Sequence, residues 1–258
     1  MSSGTSTVVV TGSSSGIGLA TKELLESDGI RVIGVDLSDA DVTADLSDPA
    51  ARADAARAIA ELSGGVVDGF AGYAGVGPTV SDISLLTSVN YFGQVDLLLA
   101  VKPLLAAAPK PVVVVVSSIA PMVSESDDES VEAMLAGDEQ RAIELTVKHG
   151  DHGVAYTSSK LATAKFGRGI VLEWIAEGIR VNVLAPGNTT TPMTDAALAD
   201  PEIGPLMRGT PVPIGRWADP TDIAEGARWL LSDRSRYVVG TLLIVDGGID
   251  SAARPDAL

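Results

Sequence analysis

The chain has no cysteine, which excludes disulfides, thiolate metal sites and covalent catalysis through sulfur. Histidine is nearly absent too: His149 and His152 flank Gly150, a pattern that reads as a helix end and the loop after it, so no metal site is expected. Positive charge is scarce. Eighteen Lys and Arg stand against 34 Asp and Glu, a formal charge of −16, and the basic residues are scattered. Nucleic acid and anionic membrane surfaces are thereby excluded as partners, since either needs a basic stripe to displace counterions. No apolar run approaches the ~18 residues of a membrane span. Met1 to Thr7 is small and polar with no basic region before an apolar stretch, so no targeting segment is read there and a soluble cytoplasmic protein is expected.

What is present is a globular composition, 46% hydrophobic and 20% charged over 258 residues, enough chain to bury both faces of a large sheet in one domain. Short β-branched runs recur at Thr7–Val10, Arg31–Val35, Val112–Val116, Val181–Leu184 and Leu242–Val245. They are continuous rather than alternating, as strands covered on both faces require. Between them lie helical stretches, the clearest with Asp48 as N-cap and Pro49 in the first turn, running to Leu62 before Gly64-Gly65. The alternation predicts an α/β fold, a doubly wound, mostly parallel Rossmann-type sheet with helices on both faces and ligands outside the carboxyl ends of its strands.

One segment, Ser124 to Gly150, breaks the rhythm. It is acidic, yet Val131, Met134, Leu135, Ile143 and Val147 fall at helical spacing, which predicts an inserted helical hairpin. Ser126 with Glu129 resembles a capping box, Gly137 suits the end of the first helix, Asp138 can cap the second and His149-Gly150 can close it. The hairpin reads either as a solvated acidic lid or as an element controlling substrate access.

After the first predicted strand comes Gly12-Ser13-Ser14-Ser15-Gly16-Ile17-Gly18, followed by an apolar-periodic stretch from Leu19 to Leu25. Gly12 permits a tight turn, Gly16 close approach of backbone to a pyrophosphate, and Gly18 close packing of helix on strand, while helix N–H groups face the phosphates. The second strand closes in Asp36. A carboxylate there accepts from both ribose hydroxyls and repels a 2′-phosphate, and no Arg or Lys accompanies it, so NAD is favoured over NADP; alternatively, Asp36 only caps a turn. The anionic cofactor faces an anionic protein, but screening within about 8–10 Å confines that repulsion.

Tyr156 and Lys160 are four residues apart, which on a helix places phenol and ammonium on one face. To act near neutral pH the phenol must fall by roughly three units, about 4 kcal/mol of preferential phenolate stabilisation, from the ammonium and an oxidised nicotinamide. The pair alone would be an ordinary helix surface; it gains force beside Ser117-Ser118 at the end of the Val112–Val116 run.

With these motifs, Asn90, Pro186-Gly187 and Val245-Asp246-Gly247-Gly248, the sequence resembles the short-chain dehydrogenase/reductase family over nearly its whole length. The resemblance implies Tyr156 as general acid/base, Lys160 lowering its pKa and binding nicotinamide ribose, Ser118 hydrogen-bonding the substrate oxygen, and Asn90 holding a relay water. It places Asp45 and Leu46 at the adenine, Ala74 and Gly75 in the turn after the fourth strand, and Pro186, Gly187, Thr189 and Thr191 at the carboxamide. No metal is needed. Two departures stand out: Tyr73 replaces the usual Asn of an Asn-Ala-Gly turn, and the Ser118-to-Tyr156 spacing is lengthened by the hairpin.

The insertion, the Ser88–Gly93 stretch and the ending Asp246–Asp250 with Arg254-Pro255 are more narrowly similar to bacterial 3α-hydroxysteroid dehydrogenase/carbonyl reductases. That implies a cyclic or aromatic alcohol/ketone substrate in a pocket roofed by Thr191–Met207 and the insertion, with Ile119, Met122, Met193, Leu198 and Met207 as apolar walls. Few aromatics and several methionines suit a broad, adaptable pocket. Competing readings are a general or terpene-alcohol dehydrogenase and an NAD-binding sensor or scaffold without turnover. A homodimer or homotetramer is expected, with the insertion blocking one helix surface and leaving a dimer through the C-terminal region.

Overall fold

The structure, a computed structural model, describes residues 6–256; Met1–Thr5 of the stretch read for a targeting signal lie outside them. Seven strands form one sheet in the order β3-β2-β1-β4-β5-β6-β7: β1 Thr7–Thr11, β2 Arg31–Asp36, β3 Val42–Thr43, β4 Gly69–Gly72, β5 Val112–Val116, β6 Arg180–Pro186 and β7 Leu242–Val245. Every pairing is parallel. The five strands predicted from β-branched runs are present, with ends moved by a residue or two. The main helices are α1 Gly16–Ser27, α2 Pro49–Ser63, α3 Gln94–Ala106, α4 Asp128–Leu135, α5 Glu139–His149, α6 His152–Gly169, α7 Pro192–Ala199, α8 Ile203–Gly209 and α9 Pro220–Leu231. Among the described residues no helix is long and apolar enough to cross a membrane.

β5 shows why the runs are unbroken. Val113 and Val115 pack with Ile59, Leu97, Val101 and Trp174 on one face, while Val114 and Val116 pack with Leu184, Ile223 and Leu230 on the other. Alternate side chains point to opposite faces, so a strand covered twice has no place for a polar residue. From β1 the chain winds out to β3, then returns to β4 and winds out to β7. The order therefore reverses between β1 and β4, and a crevice opens at their carboxyl ends.

Ser124 to Gly150 forms the hairpin, with two corrections. The first helix is capped by Asp127, whose carboxylate accepts from the Ser130 amide at 3.2 Å, not by Ser126 with Glu129; an ionised acceptor at the N-terminus meets both the free amide and the helix dipole. The buried face is Val131, Met134, Ala142 and Leu145, packed on Tyr91, Phe92, Val95 and Ala162, while Leu135 and Val147 are exposed. The remaining punctuation is as read: Asp138 accepts from the Arg141 amide at 3.0 Å, and Gly137 and Gly150 have φ of 75° and 77°, which favours glycine.

Candidate active site

The crevice at the β1/β4 reversal is shaped by close backbone approach. Gly12 has φ 68°, and a Cβ there would meet the Ala74 nitrogen at 2.8 Å; a Cβ on Gly18 would overlap the Gly12 carbonyl oxygen. At Ser15, the N-cap of α1, no side chain caps the helix and its first turn holds no acidic residue. Elsewhere Asp48, Asp127, Asp138 and Asp151 cap their helices with carboxylates. The start of α1 thus offers free amides and the positive dipole end to an anion, which fits a pyrophosphate.

The cleft is lined by Gly12, Ser15, Gly16, Ile17, Gly18, Asp36, Asp45, Leu46, Ala74, Gly75, Ser118, Tyr156, Lys160, Pro186, Gly187, Thr189 and Thr191. Of the residues singled out for catalysis or cofactor binding, only Asn90 is set back from its wall. Asn90 lies in a π-helical turn, Ser88–Gly93, of the kind found often at functional sites. Its Oδ1 accepts from the Val76 amide at 2.7 Å and its Nδ2 donates to the Val76 carbonyl at 3.0 Å. The side chain therefore clamps the Gly75-Val76 segment.

Asp36 accepts from the Ser14 amide at 2.9 Å and the Leu37 amide at 2.7 Å. It braces the glycine loop while facing the cleft. Lys160 is the one Lys or Arg among the described residues lining the cleft, and its Nζ lies 3.4 Å from the Val116 carbonyl, at a different part of the sheet edge. Tyr73 turns its hydroxyl to Thr21 of α1, which donates to it at 2.9 Å. The turn keeps its backbone frame, the Ala74 amide donating to Thr11 Oγ1 at 3.0 Å.

At the other end, Ser118 Oγ accepts from the Ala120 amide at 3.1 Å, leaving its proton to donate outward. Ser117 donates to the Lys160 carbonyl at 2.7 Å, tying the end of β5 to α6. Ser158 of α6 accepts from the Asp127 amide at 2.8 Å. The insertion is thus anchored on the helix that carries Tyr156 and does not part it from Ser118.

Lys160 Nζ stands 6.0 Å from the centre of the Tyr156 ring. Burial lifts the phenol above its ordinary value, the nearby Ser118 hydroxyl pulling the other way. In the cofactor-free chain burial therefore outweighs the lowering expected from the Tyr–Lys spacing. Burial also holds Lys160 down to about 8. Between about 8 and 10.5 the unfolded chain keeps a proton that the folded chain has released, so this group's penalty is present in full below pH 8 and fades as pH rises. The penalty is roughly 3 kcal/mol at neutral pH. Lys160→Met is accordingly expected to raise the melting temperature of the cofactor-free protein at pH 7 by about 5 °C, an advantage that shrinks above pH 8; scanning calorimetry across pH checks it, and an unchanged or lower value at pH 7 contradicts it.

A second cavity of about 940 Å³ adjoins the first, within the ~300–1,000 Å³ range of small-molecule sites. Val80, Ile119, Val154, Met193, Leu206 and Met207 supply apolar wall. Met122 and Leu198, expected as walls, do not line it; nor do the hairpin helices, of whose segment only Ser124, Glu125 and Gly150 reach the rim. The helices are turned away because their apolar face is spent on Tyr91, Phe92 and Ala162. Ser118, Tyr156, Gly187, Met193 and Thr194 line both cavities. Thr194 escaped the sequence reading, although its spacing from Thr191 signals the capping box the two form.

Residues 6–127 match the family model for short chain dehydrogenase, and residues 140–250 the model for enoyl-(acyl carrier protein) reductase. The 3-alpha-hydroxysteroid dehydrogenase/carbonyl reductase of Comamonas testosteroni is 37% identical over 97% of this chain and 98% of that protein. The cis-4-hydroxycyclohexanecarboxylate dehydrogenase of Sinomonas cyclohexanicum is 29% identical over 93% and 94%. Among solved structures, the 3-alpha-hydroxysteroid dehydrogenase of Pseudomonas sp. B-0831, complexed with NADH, superposes with a TM-score of 0.96 at 42% identity, covering 98% of this chain and all of that one. The uncapped helix beside Gly12, the Ser118, Tyr156 and Lys160 constellation and these full-length likenesses agree: the chain belongs to the short-chain dehydrogenase/reductase family of oxidoreductases.

Proposed function

We propose that this protein is an NAD-dependent dehydrogenase/reductase acting on a secondary alcohol/ketone pair carried on a ring, of the hydroxysteroid or similar cyclic class. The observation that carries the reading is the shared wall: Ser118 and Tyr156 border both the glycine-loop cleft and the apolar cavity, so proton donors stand where cofactor and substrate meet. Nicotinamide, when bound, gives or takes the hydride.

The chain's own residues do the rest. The amides at the start of α1 hold the pyrophosphate, Asp36 the adenosine ribose, Asp45 and Leu46 the adenine side, and Pro186, Gly187, Thr189 and Thr191 the carboxamide side. Ser118 donates to the substrate oxygen, fixing the carbonyl in place. Tyr156 exchanges a proton with that oxygen. Lys160, charged below about pH 8, would bind the nicotinamide ribose and favour the phenolate, and an oxidised nicotinamide would supply further positive charge against the burial of Tyr156. Asn90 fixes Val76 at the wall and supports the proton relay behind Lys160.

The identities of the two full-length relatives named for ring alcohols and the apolar wall support the substrate class. Following reduced-nicotinamide absorbance with a panel of cyclic and open-chain alcohols tests it: turnover confined to ring alcohols is expected, and turnover confined to open-chain alcohols contradicts it. The hairpin covers the Tyr91–Val95 and Ala162 surface with its own core, so we also propose a dimer through the C-terminal region; a tetramer in light scattering contradicts that.

A further inference from the structure

We propose that Arg52, clamped by Glu139 of the hairpin, is a positioning residue for the adenosine end of the cleft. Arg52 lies on α2 and is only 2% exposed, and it lines neither cavity. Its Nε donates to the Leu46 carbonyl at 2.7 Å, and one terminal nitrogen donates to the carbonyls of Ser47 at 3.1 Å and Ser88 at 3.0 Å. The same fork meets Glu139 in a bidentate pair at 2.6 and 2.7 Å and Asp96 at 2.8 Å. A buried guanidinium is tolerable only with such complete pairing.

The carbonyls it grips belong to the two pieces of backbone that shape this end of the cleft. Asp45 and Leu46 line it from one piece, and Val89 follows Ser88 on the other. Leu46 has no slack on its far side, because a Cβ on Gly93 would meet its Cβ and its carbonyl oxygen, each at 2.9 Å. Glu139 is the first residue of α5, so the hairpin reaches Arg52 and the Leu46 backbone through this carboxylate, with Thr146 of the same helix bonded to Thr87 at 2.8 Å, while its helices line neither cavity. The inference gives the insertion a role in cofactor affinity rather than substrate access, and it rests on the reading of the cleft as a dinucleotide site.

The test uses AMP as a probe of the adenosine half, its inhibition constant measured against NAD in the wild type, Glu139→Gln and Glu139→Ala. Loss of one partner in such a network is expected to weaken AMP by about fivefold or more in Glu139→Ala, with Glu139→Gln between it and the wild type. The turnover number at saturating cofactor and the KM for the alcohol are expected to stay within about twofold, as positioning of the far end requires. A lowered melting temperature with unchanged AMP affinity overturns the inference, leaving Glu139 a purely structural residue. Parallel loss of AMP affinity, alcohol KM and turnover also overturns it, as general loosening. A wild type that binds neither AMP nor NADH takes down the dinucleotide reading itself, an outcome separate from wild type and variants binding AMP alike.

Discussion

Tyr156→Phe is expected to cut turnover by about a thousandfold or more, within the range that positioned acid/base groups contribute, while NADH binds within about threefold of the wild type. The substitution keeps the ring in its place on α6 and removes the single oxygen proposed to exchange a proton with the substrate. The backbone frame of the cleft, set by Gly12 against Ala74 and Gly18 against Gly12, is untouched, so cofactor binding has no reason to fail. Burial raises the Tyr156 phenol, and activity in the oxidative direction should therefore rise with pH towards the alkaline side. Steady-state rates with fluorescence titration of NADH check both halves. Near-normal turnover in the variant would remove Tyr156 from the chemistry.

The second large effect concerns the cofactor. The wild type is expected to prefer NAD over NADP by about a hundredfold or more in kcat/KM, because a 2′-phosphate beside Asp36 sets like charges together at a cost of several kcal/mol. Lys160 lines the cleft but sits by Val116, too committed elsewhere to receive that phosphate. Asp36→Asn removes the charge while keeping an acceptor for the Ser14 amide, which Asp36 holds at 2.9 Å. The ratio is expected to fall to about tenfold or less through a gain with NADP, each tenfold being about 1.4 kcal/mol. A wild type that favours NADP would refute this role for Asp36.

Both effects rest on residues that were readable in the sequence, and the reason is local. The glycine loop, Asp36 and the Tyr156–Lys160 pair each sit within one turn or one strand end, where residue type and spacing determine geometry. β4 was not readable in the same way. Gly69-Phe70-Ala71-Gly72 has no β-branched residue, and it is a strand because β1 and β5 pair with it on either side and leave no room for more; a Cβ on Gly72 would meet Gln94 at 2.7 Å. Tertiary packing overrides propensity there. β3, two residues long, carries too little pattern to be seen.

The hairpin shows the same boundary between local and distant information. Its helices and glycine ends followed from spacing, but its placement depends on Tyr91, Phe92 and Ala162, which lie outside the segment on both sides. The expectation that it roofs the substrate cavity therefore holds only at its ends, where Ser124, Glu125 and Gly150 reach the rim. Met122 and Leu198 failed as wall residues for the same reason, and the Arg52–Glu139 pair, 87 residues apart, left no mark in the sequence at all.

The central claim is that a hydride moves between the cofactor and a ring carbonyl carbon over Ser118 and Tyr156. It is tested most directly by incubating the wild type with a cyclic ketone and NADH deuterated at the transferred position of nicotinamide C4, then locating the label by mass spectrometry. The expected product is the ring alcohol with one deuterium on its carbinol carbon, absent when Tyr156→Phe replaces the wild type. NADH bound in the cleft with no label reaching any ketone of the panel would contradict the account.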